Sequence, residues 1–182
     1  MSGHPFTGVY TGANYAPYYF TAAEFGSEKA FETYGNRLLR YIDSRIKFTV
    51  DQLRHHFGVA TINSWSWGGN RQYSGLRLPG EPYYKQSSDH SYGQAADIVF
   101  KDITAKEVRD FIEANPDKFP FITFIEEGES VDWLHISVSC VRETFGLKKL
   151  NSIVFWSLDT GQFRVIERSK SFSLVPFLQG AK

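Results

Sequence analysis

The chain has 182 residues, with 42% hydrophobic and 22% charged side chains, the balance of a globular protein of one domain with at most an appendage. Twenty Lys and Arg residues match twenty Asp and Glu residues, and no basic run exceeds a pair, which argues against a general nucleic-acid binder. Cys140 is the single cysteine, which excludes an intramolecular disulfide and a thiolate metal cluster. Because no stretch has the length of a bilayer span and the N-terminus lacks a standard signal peptide, we expect synthesis in a cytoplasm and no membrane insertion.

The first part of the chain predicts an arm and two helices. Residues 1–20, rich in Gly, Tyr and Pro, predict an irregular aromatic arm that packs on the domain. Thr21 and Glu24 form a capping box that opens a first helix. Apolar residues spaced three and four apart then predict a longer amphipathic helix that ends before Gly58. Its apolar face comprises Leu38, Leu39, Ile42, Ile46, Val50, Leu53 and Phe57.

A long loop and a buried strand follow. Residues 59–65 predict a short strand, and the Gly- and Pro-rich residues 66–89 predict a long loop of the kind that is often functional. The run AADIVF, residues 95–100, predicts a buried strand. Thr104 and Glu107 form a second capping box, which predicts another helix.

The rest of the sequence predicts an antiparallel arrangement. Residues 119–125 and 133–139 are strand-like and joined by a short acidic turn, so we expect them to pair antiparallel. IVFWSL and FRVIE, on either side of DTGQ, predict a hairpin in the tail. We therefore expect an α+β fold, a mostly antiparallel central sheet with helices packed on it. The expected regions are an arm at 1–20, a main domain at 21–140 and a C-terminal extension at 141–182 that contains the hairpin.

Three residues of this pattern are candidate metal ligands: His90 in a loop, Asp97 at the start of the buried strand, and His135 inside a later strand. Imidazole nitrogen and carboxylate oxygen bind zinc, and a catalytic site uses three such ligands and leaves a fourth position for water. Each residue alone is more ordinarily explained as a hydrogen-bonded core histidine or a strand-capping aspartate. Two adjacent strands and a loop could nevertheless bring all three to one point.

The ordered pattern resembles that of a known family. Ser88-Asp89-His90-Ser91-Tyr92-Gly93-Gln94-Ala95-Ala96-Asp97 resembles, without a gap, the SxHxxGxAxD motif of zinc D-Ala-D-Ala carboxypeptidases, D-Ala-D-Ala dipeptidases and L-alanyl-D-glutamate endopeptidases. The second motif of this family is an acidic residue, two residues and a histidine, and Asp132-Trp133-Leu134-His135 matches it. The resemblance extends more loosely from about residue 19 to Cys140 and implies the Hedgehog/DD-peptidase fold.

The resemblance also implies roles for these residues. His90, Asp97 and His135 would bind Zn²⁺, and Asp132 would be the general base, with Glu126, Glu127 and Glu129 ranked below it because only Asp132 has the family spacing. An aspartate at this position leans toward the endopeptidase type.

An arginine and a serine complete the implied site. Residues 61–65, TINSW, resemble the start of the family segment that carries a substrate-binding arginine, and Arg71 and Arg77 both follow it. The order Ser74-Gly75-Leu76-Arg77 favours Arg77, while solvated loop charges remain the ordinary interpretation of both arginines. Ser88 would orient either the substrate or His90.

The resemblance implies a zinc peptidase that hydrolyses D-Ala-D-Ala or L-Ala-D-Glu bonds in peptidoglycan stem peptides. The best biological interpretation is a phage lysin that reaches the cell wall after holin release or as a virion component. One alternative is a virion-structural or binding protein that keeps the fold and docks onto a virion or another protein through the arm and the extension. A cytoplasmic D,D-dipeptidase is a third hypothesis.

Overall fold

A computed structural model describes residues 6–139 and 151–169 of the chain as a six-stranded sheet with helices. The strands are β1 Ala60–Thr61, β2 Ala95–Phe100, β3 Phe124–Glu127, β4 Leu134–Ser137, β5 Ser152–Ser157 and β6 Phe163–Glu167. The α-helices are α1 Glu28–Tyr34, α2 Ser44–Phe57 and α3 Ala105–Ala114. Short 3-10 helices span Gly12–Asn14, Ala22–Phe25, Gly35–Arg40, Trp65–Trp67, Asp89–Tyr92 and Pro116–Lys118. None of the described helices is long and apolar enough to cross a membrane.

The sheet has the order β1-β2-β4-β3-β5-β6. β3 and β5 pair parallel, and the four other neighbouring pairs are antiparallel. The expected sheet with helices, mostly antiparallel, therefore agrees with this mixed α/β arrangement. The tail segments IVFWSL and FRVIE form the hairpin of β5 and β6, which continues the central sheet beyond β3.

The two faces of the sheet differ in chemistry because successive side chains of a strand point to opposite sides. One face joins α2 and α3 in a single apolar core. Its fully buried members include Ile98, Ile125, Leu134 and Ile136 from the strands and Val50, Leu53, Val108 and Ile112 from the helices. Each such side chain contributes about 1.5–3 kcal/mol when it leaves water. The opposite face carries polar side chains at the centre of the sheet.

The predicted long helix is interrupted, which corrects the expectation from its apolar spacing. Leu38 and Leu39 lie in a 3-10 helix, and α2 begins only at Ser44. The physical reason is the N-cap: a carboxylate oxygen of Asp43 accepts a hydrogen bond from the backbone N–H of Arg45 at 2.9 Å, which starts a new helix there. The apolar spacing runs through this break and therefore did not reveal it.

Two strands also differ from their predicted limits. β1 is confined to Ala60–Thr61, within the predicted 59–65, and β3 begins at Phe124 although the strand was predicted from residue 119. Both capping boxes form as predicted: that of Thr21 opens a 3-10 helix, and that of Thr104 opens α3.

The described part of the arm shares the core of the domain. Asp51 of α2 is fully buried, and its carboxylate accepts hydrogen bonds from the Tyr15 hydroxyl at 2.6 Å and from the Tyr18 and Tyr19 backbone N–H groups at 2.5 and 2.9 Å. These bonds fix residues 15–19 along the helix. The first five residues of the arm, Cys140 and the parts of the extension at 141–150 and 170–182 lie outside the described residues.

Candidate metal centre and cleft

Strand register assembles a row of polar side chains on the face opposite α2 and α3. Asp97 of β2 pairs with His135 of β4, and Glu126 of β3 pairs with the same histidine from the other side. Side chains directly opposite each other on neighbouring strands have Cβ atoms about 4.5–5.5 Å apart. Three residues that are far apart in sequence therefore meet at the centre of the sheet.

His90 joins this row from the loop that precedes β2. It lies in the 3-10 helix Asp89–Tyr92, where the hydroxyl of Ser88 accepts a bond from the His90 backbone N–H at 3.4 Å. Gly93 ends the helix with φ +64°, and a Cβ there would lie 2.1 Å from the carbonyl oxygen of Tyr41. The motif glycine is thus required by its backbone conformation and by the close approach of another segment.

The three side chains converge to hydrogen-bonding distances and are buried. His90 Nε2 lies 3.3 Å from both His135 Nδ1 and Asp97 Oδ1, and His135 Nδ1 lies 2.7 Å from Asp97 Oδ1. Tetrahedral zinc with bonds of about 2.0–2.2 Å separates its ligand atoms by roughly 3.3 Å. The donor set and two of the three separations therefore fit a zinc ion.

The protonation of His90 also suits a metal. Its Nδ1 lies 2.8 Å from the carbonyl oxygen of Gly75, which can only accept a hydrogen bond. The proton therefore sits on Nδ1, and Nε2 directs its lone pair at Asp97 and His135. Metal-binding histidines are usually oriented in this way, by a hydrogen bond that the ring nitrogen not bound to the metal donates. A Cβ on Gly75 would lie 2.1 Å from the carbonyl oxygen of Phe25, so this approach also requires a glycine.

Burial and charge set the ionisation of the cluster. Burial lowers the pKa of His90 and outweighs the opposing charge of Asp97. Burial alone would lower the pKa of His135, but the hydrogen bond and charge of Asp97 outweigh it and the pKa is raised. Burial would raise the pKa of Asp97, yet both histidines outweigh it and the pKa falls well below its usual range. Asp97 is therefore ionised at neutral pH, as metal binding requires, and burial favours the neutral form of His90.

The cluster forms the floor of a cleft of about 1290 Å³. Ser88 and Glu126 line it, as do the aromatic side chains of Tyr83, Tyr92, Phe124 and Trp133. Tyr83 is 72% exposed and is the one described residue other than glycine with a positive φ, 62°. A bulky residue in this conformation is strained, and such strain is often found at functional sites.

The two candidate arginines occupy different positions. Arg77 lines the cleft and donates from Nη2 to Asp97 Oδ2 at 2.9 Å and from Nε to the Tyr73 carbonyl at 2.6 Å. Arg71 donates to the Ile62 carbonyl at 2.9 Å and is not among the described residues that line the cleft. Burial lowers the pKa of Arg71 despite the opposing charges of Asp97 and Asp132. Arg77 is therefore the arginine that supports a candidate metal ligand.

The candidate base Asp132 lies just before β4 and is exposed. Arg109 of α3 fixes its neighbours, because the guanidinium donates to the carbonyls of Val131 and Trp133 at 3.2 and 3.1 Å. Asp132 lines a second cavity of about 1020 Å³ and is not among the described residues of the cleft. Glu126, ranked below it on spacing, lines the cleft instead. The role of Asp132 as base stays a prediction.

Sequence reasoning missed the residue that holds the long loop in place. Asn63 is buried and donates to the carbonyls of Glu24 and Gly26 at 3.0 and 3.1 Å, while its side-chain oxygen accepts from Ser74 N–H at 3.0 Å. Ser74 in turn accepts a bond from the Asp97 backbone N–H at 2.8 Å. Asn63 therefore positions the loop segment that carries Gly75 and Arg77, and the sequence contains no signal for these distant partners.

Comparisons with known proteins do not identify the family. No protein-family model matches the chain, and no curated protein or solved structure matches it significantly. The assignment of a function therefore depends on the two sequence motifs and on the geometry of the cleft.

Proposed function

We propose that the protein is a zinc-dependent peptidase that hydrolyses peptide bonds in peptidoglycan stem peptides. The observation that carries this proposal is the convergence of His90, Asp97 and His135 on the floor of an open cleft. A structural zinc site is closed by four protein ligands, whereas a catalytic one uses three. Three is the number of candidate ligands that cluster among the described residues.

The residues present fit zinc, and each would serve the hydrolysis in a different way. Zinc held by the triad would supply a water whose pKa is near 7. A carboxylate would accept a proton from the attacking water and deliver it to the leaving nitrogen as the C–N bond breaks. The motif spacing assigns this role to Asp132, and position in the cleft makes Glu126 the alternative.

Arg77 has two tasks under this proposal. Its bond to Asp97 Oδ2 holds the carboxylate in position, and its place at the cleft allows the guanidinium to stabilise negative charge that develops on the substrate carbonyl oxygen. The cleft volume exceeds the 300–1,000 Å³ or so of typical small-molecule pockets and suits an extended peptide.

The biological setting follows from the resemblance of the motifs. We propose a phage lysin that acts on the bacterial cell wall after holin release or as part of the virion. The L-Ala-D-Glu and D-Ala-D-Ala bonds are the two candidate targets.

The test is digestion of purified peptidoglycan by the pure protein, with zinc and separately with a chelator. Mass spectrometry of the released fragments identifies the bond. We expect fragments only with zinc, and a new N-terminal D-Glu would identify the endopeptidase type. A folded, zinc-loaded sample that releases nothing from several wall types would contradict the proposal and favour a binding or virion-structural role.

A further inference from the structure

Two basic side chains, Arg77 and Lys85, are found among the described residues of the cleft. The guanidinium of Arg77 is already bonded to Asp97 and to the Tyr73 carbonyl. The ammonium group of Lys85 has no hydrogen bond or ion pair with any described residue, and the residue is exposed at the cleft. Lys85 is therefore the cation of the cleft that is free to receive a ligand.

The backbone of Lys85 is held firmly beside the candidate metal centre. Its carbonyl oxygen accepts bonds from the Ser88 backbone N–H at 2.9 Å and from the Ser91 hydroxyl at 2.7 Å. Ser88 is the N-cap of the 3-10 helix Asp89–Tyr92 that carries His90, and Ser91 lies within that helix. These bonds couple the position of Lys85 to that of the histidine and leave only its side chain to adapt.

The charges around the cleft favour an anionic ligand once a metal is bound. The described lining contains three carboxylates, those of Asp89, Asp97 and Glu126, against the two cations. A divalent metal would turn this excess of one negative charge into an excess of one positive charge. A cleft with such a charge attracts anions. Lysine binds carboxylates as a compact point charge.

We propose that Lys85 binds a carboxylate of the substrate close to the scissile bond and selects stem peptides in which that carboxylate is free over those in which it is an amide. This inference rests on the proposed peptidase function for the identity of the substrate. It assigns recognition of the carboxylate to Lys85 and leaves Arg77 to Asp97 and the reacting carbonyl. Lys85 is thus a specificity residue.

The test compares one stem peptide with its carboxamide counterparts, in which one carboxylate at a time is masked. Binding is measured by calorimetry on the zinc-loaded protein in the Asp132→Asn background, with zinc content checked by mass spectrometry. Lys85→Met removes the charge and keeps the stem, Lys85→Arg restores a charge, and Lys101→Met removes an exposed lysine from the second cavity as a matched control.

We expect Lys85→Met to weaken binding of the free carboxylate peptide about tenfold, as loss of a hydrogen bond to a charged group would. Lys85→Met should hardly change binding of the carboxamide peptide in which the carboxylate that Lys85 recognises is masked. Lys85→Arg should largely restore the affinity for the free carboxylate peptide, and Lys101→Met should not change it. Equal binding of all peptides by Lys85→Met and the parent protein would overturn the inference, as would equal weakening of every peptide or failure of the parent to bind any of them. Lys85-dependent binding without hydrolysis by the native sequence would instead contradict only the peptidase function.

Discussion

The cleft above the triad and the second cavity beside α3 are both rich in carboxylates, yet only the cleft has the features of a metal centre. In the second cavity most of the acidic side chains are exposed, and some charged groups there serve local structure: Glu107 caps α3, and Lys106 pairs with Asp110 one turn away. In the cleft, His90 and Asp97 are buried and aimed at a common point. Convergence and burial, set by strand register, therefore distinguish the two regions better than the number of acidic residues.

The largest expected effect is loss of the metal when a ligand of the cleft is removed. His135→Ala should abolish zinc binding and hydrolysis because only two candidate ligands remain. Glu129→Gln, a change to an exposed carboxylate of the second cavity, should leave both unchanged. Zinc content by mass spectrometry, with circular dichroism to verify the fold, measures the difference. Retention of zinc by folded His135→Ala protein would contradict the assignment of the ligands.

Asp132, the predicted general base, lines the second cavity, and its removal should have the next largest effect. We expect Asp132→Asn to lower kcat by about 10²–10⁴-fold, the usual contribution of acid–base catalysis, with zinc content unchanged. Glu126→Gln is the matched change inside the cleft and should have a smaller effect. The reverse order of the two kcat values would transfer the role of base to Glu126.

Removal of the guanidinium that supports Asp97 should weaken zinc binding by about 10–100-fold, as loss of a partner of a metal ligand does. Arg77→Met tests this, and Arg71→Met is the control because its guanidinium bonds to the Ile62 carbonyl. The zinc dissociation constant, from competition with a chelator, is the measurement. A larger loss of zinc affinity in Arg71→Met than in Arg77→Met would refute the supporting role of Arg77.

The close approach at Gly93 predicts a smaller effect, on stability. Gly93→Ala should cost more than about 1–3 kcal/mol, the usual cost of a strained backbone conformation, because the new Cβ also meets the Tyr41 carbonyl at 2.1 Å. Gly161→Ala is the matched control, since Gly161 has the same φ of +64° and open space around it. Chemical denaturation gives both free energies of unfolding. Equal losses would show that the contact with Tyr41 contributes nothing.

A change of pH is the mildest test of whether zinc binds in the cleft or at the exposed carboxylates of the second cavity. Protons compete with zinc for imidazole, and the raised pKa of His135 keeps the competing imidazolium present above the ordinary histidine value of about 6.5. Zinc affinity should therefore fall as the pH decreases through this raised pKa. Zinc held only by exposed carboxylates would lose affinity near pH 4. Titrations with zinc between pH 5 and 9, roughly the range around that histidine value, distinguish the two cases.

Local signals in the sequence predicted local structure well. The capping box at Thr104 located α3, and the apolar run after Asp97 located β2, because both depend on neighbouring residues. The break before α2 was missed because the apolar spacing continues through it. The motifs identified the candidate triad, and the structure brings its three members together.

Features that depend on distant residues could not be predicted. The position of Glu126 opposite His135 follows from the register of β3 with β4, and spacing along the chain gives no access to it. The bond between Arg77 and Asp97 joins the long loop to β2, and Asn63 anchors the same loop to the segment around Glu24. The free ammonium group of Lys85 became apparent only when the partners of the other cations were known.

The most direct test of the central claim is X-ray absorption spectroscopy of zinc bound to the pure protein. We expect one zinc ion per chain with two imidazole nitrogens at about 2.0–2.1 Å, a carboxylate oxygen at about 2.0–2.2 Å and one further oxygen from water. Substitution of His135 should remove this signal. A zinc ion without imidazole ligands, or one closed by four protein ligands, would contradict a catalytic centre at His90, Asp97 and His135.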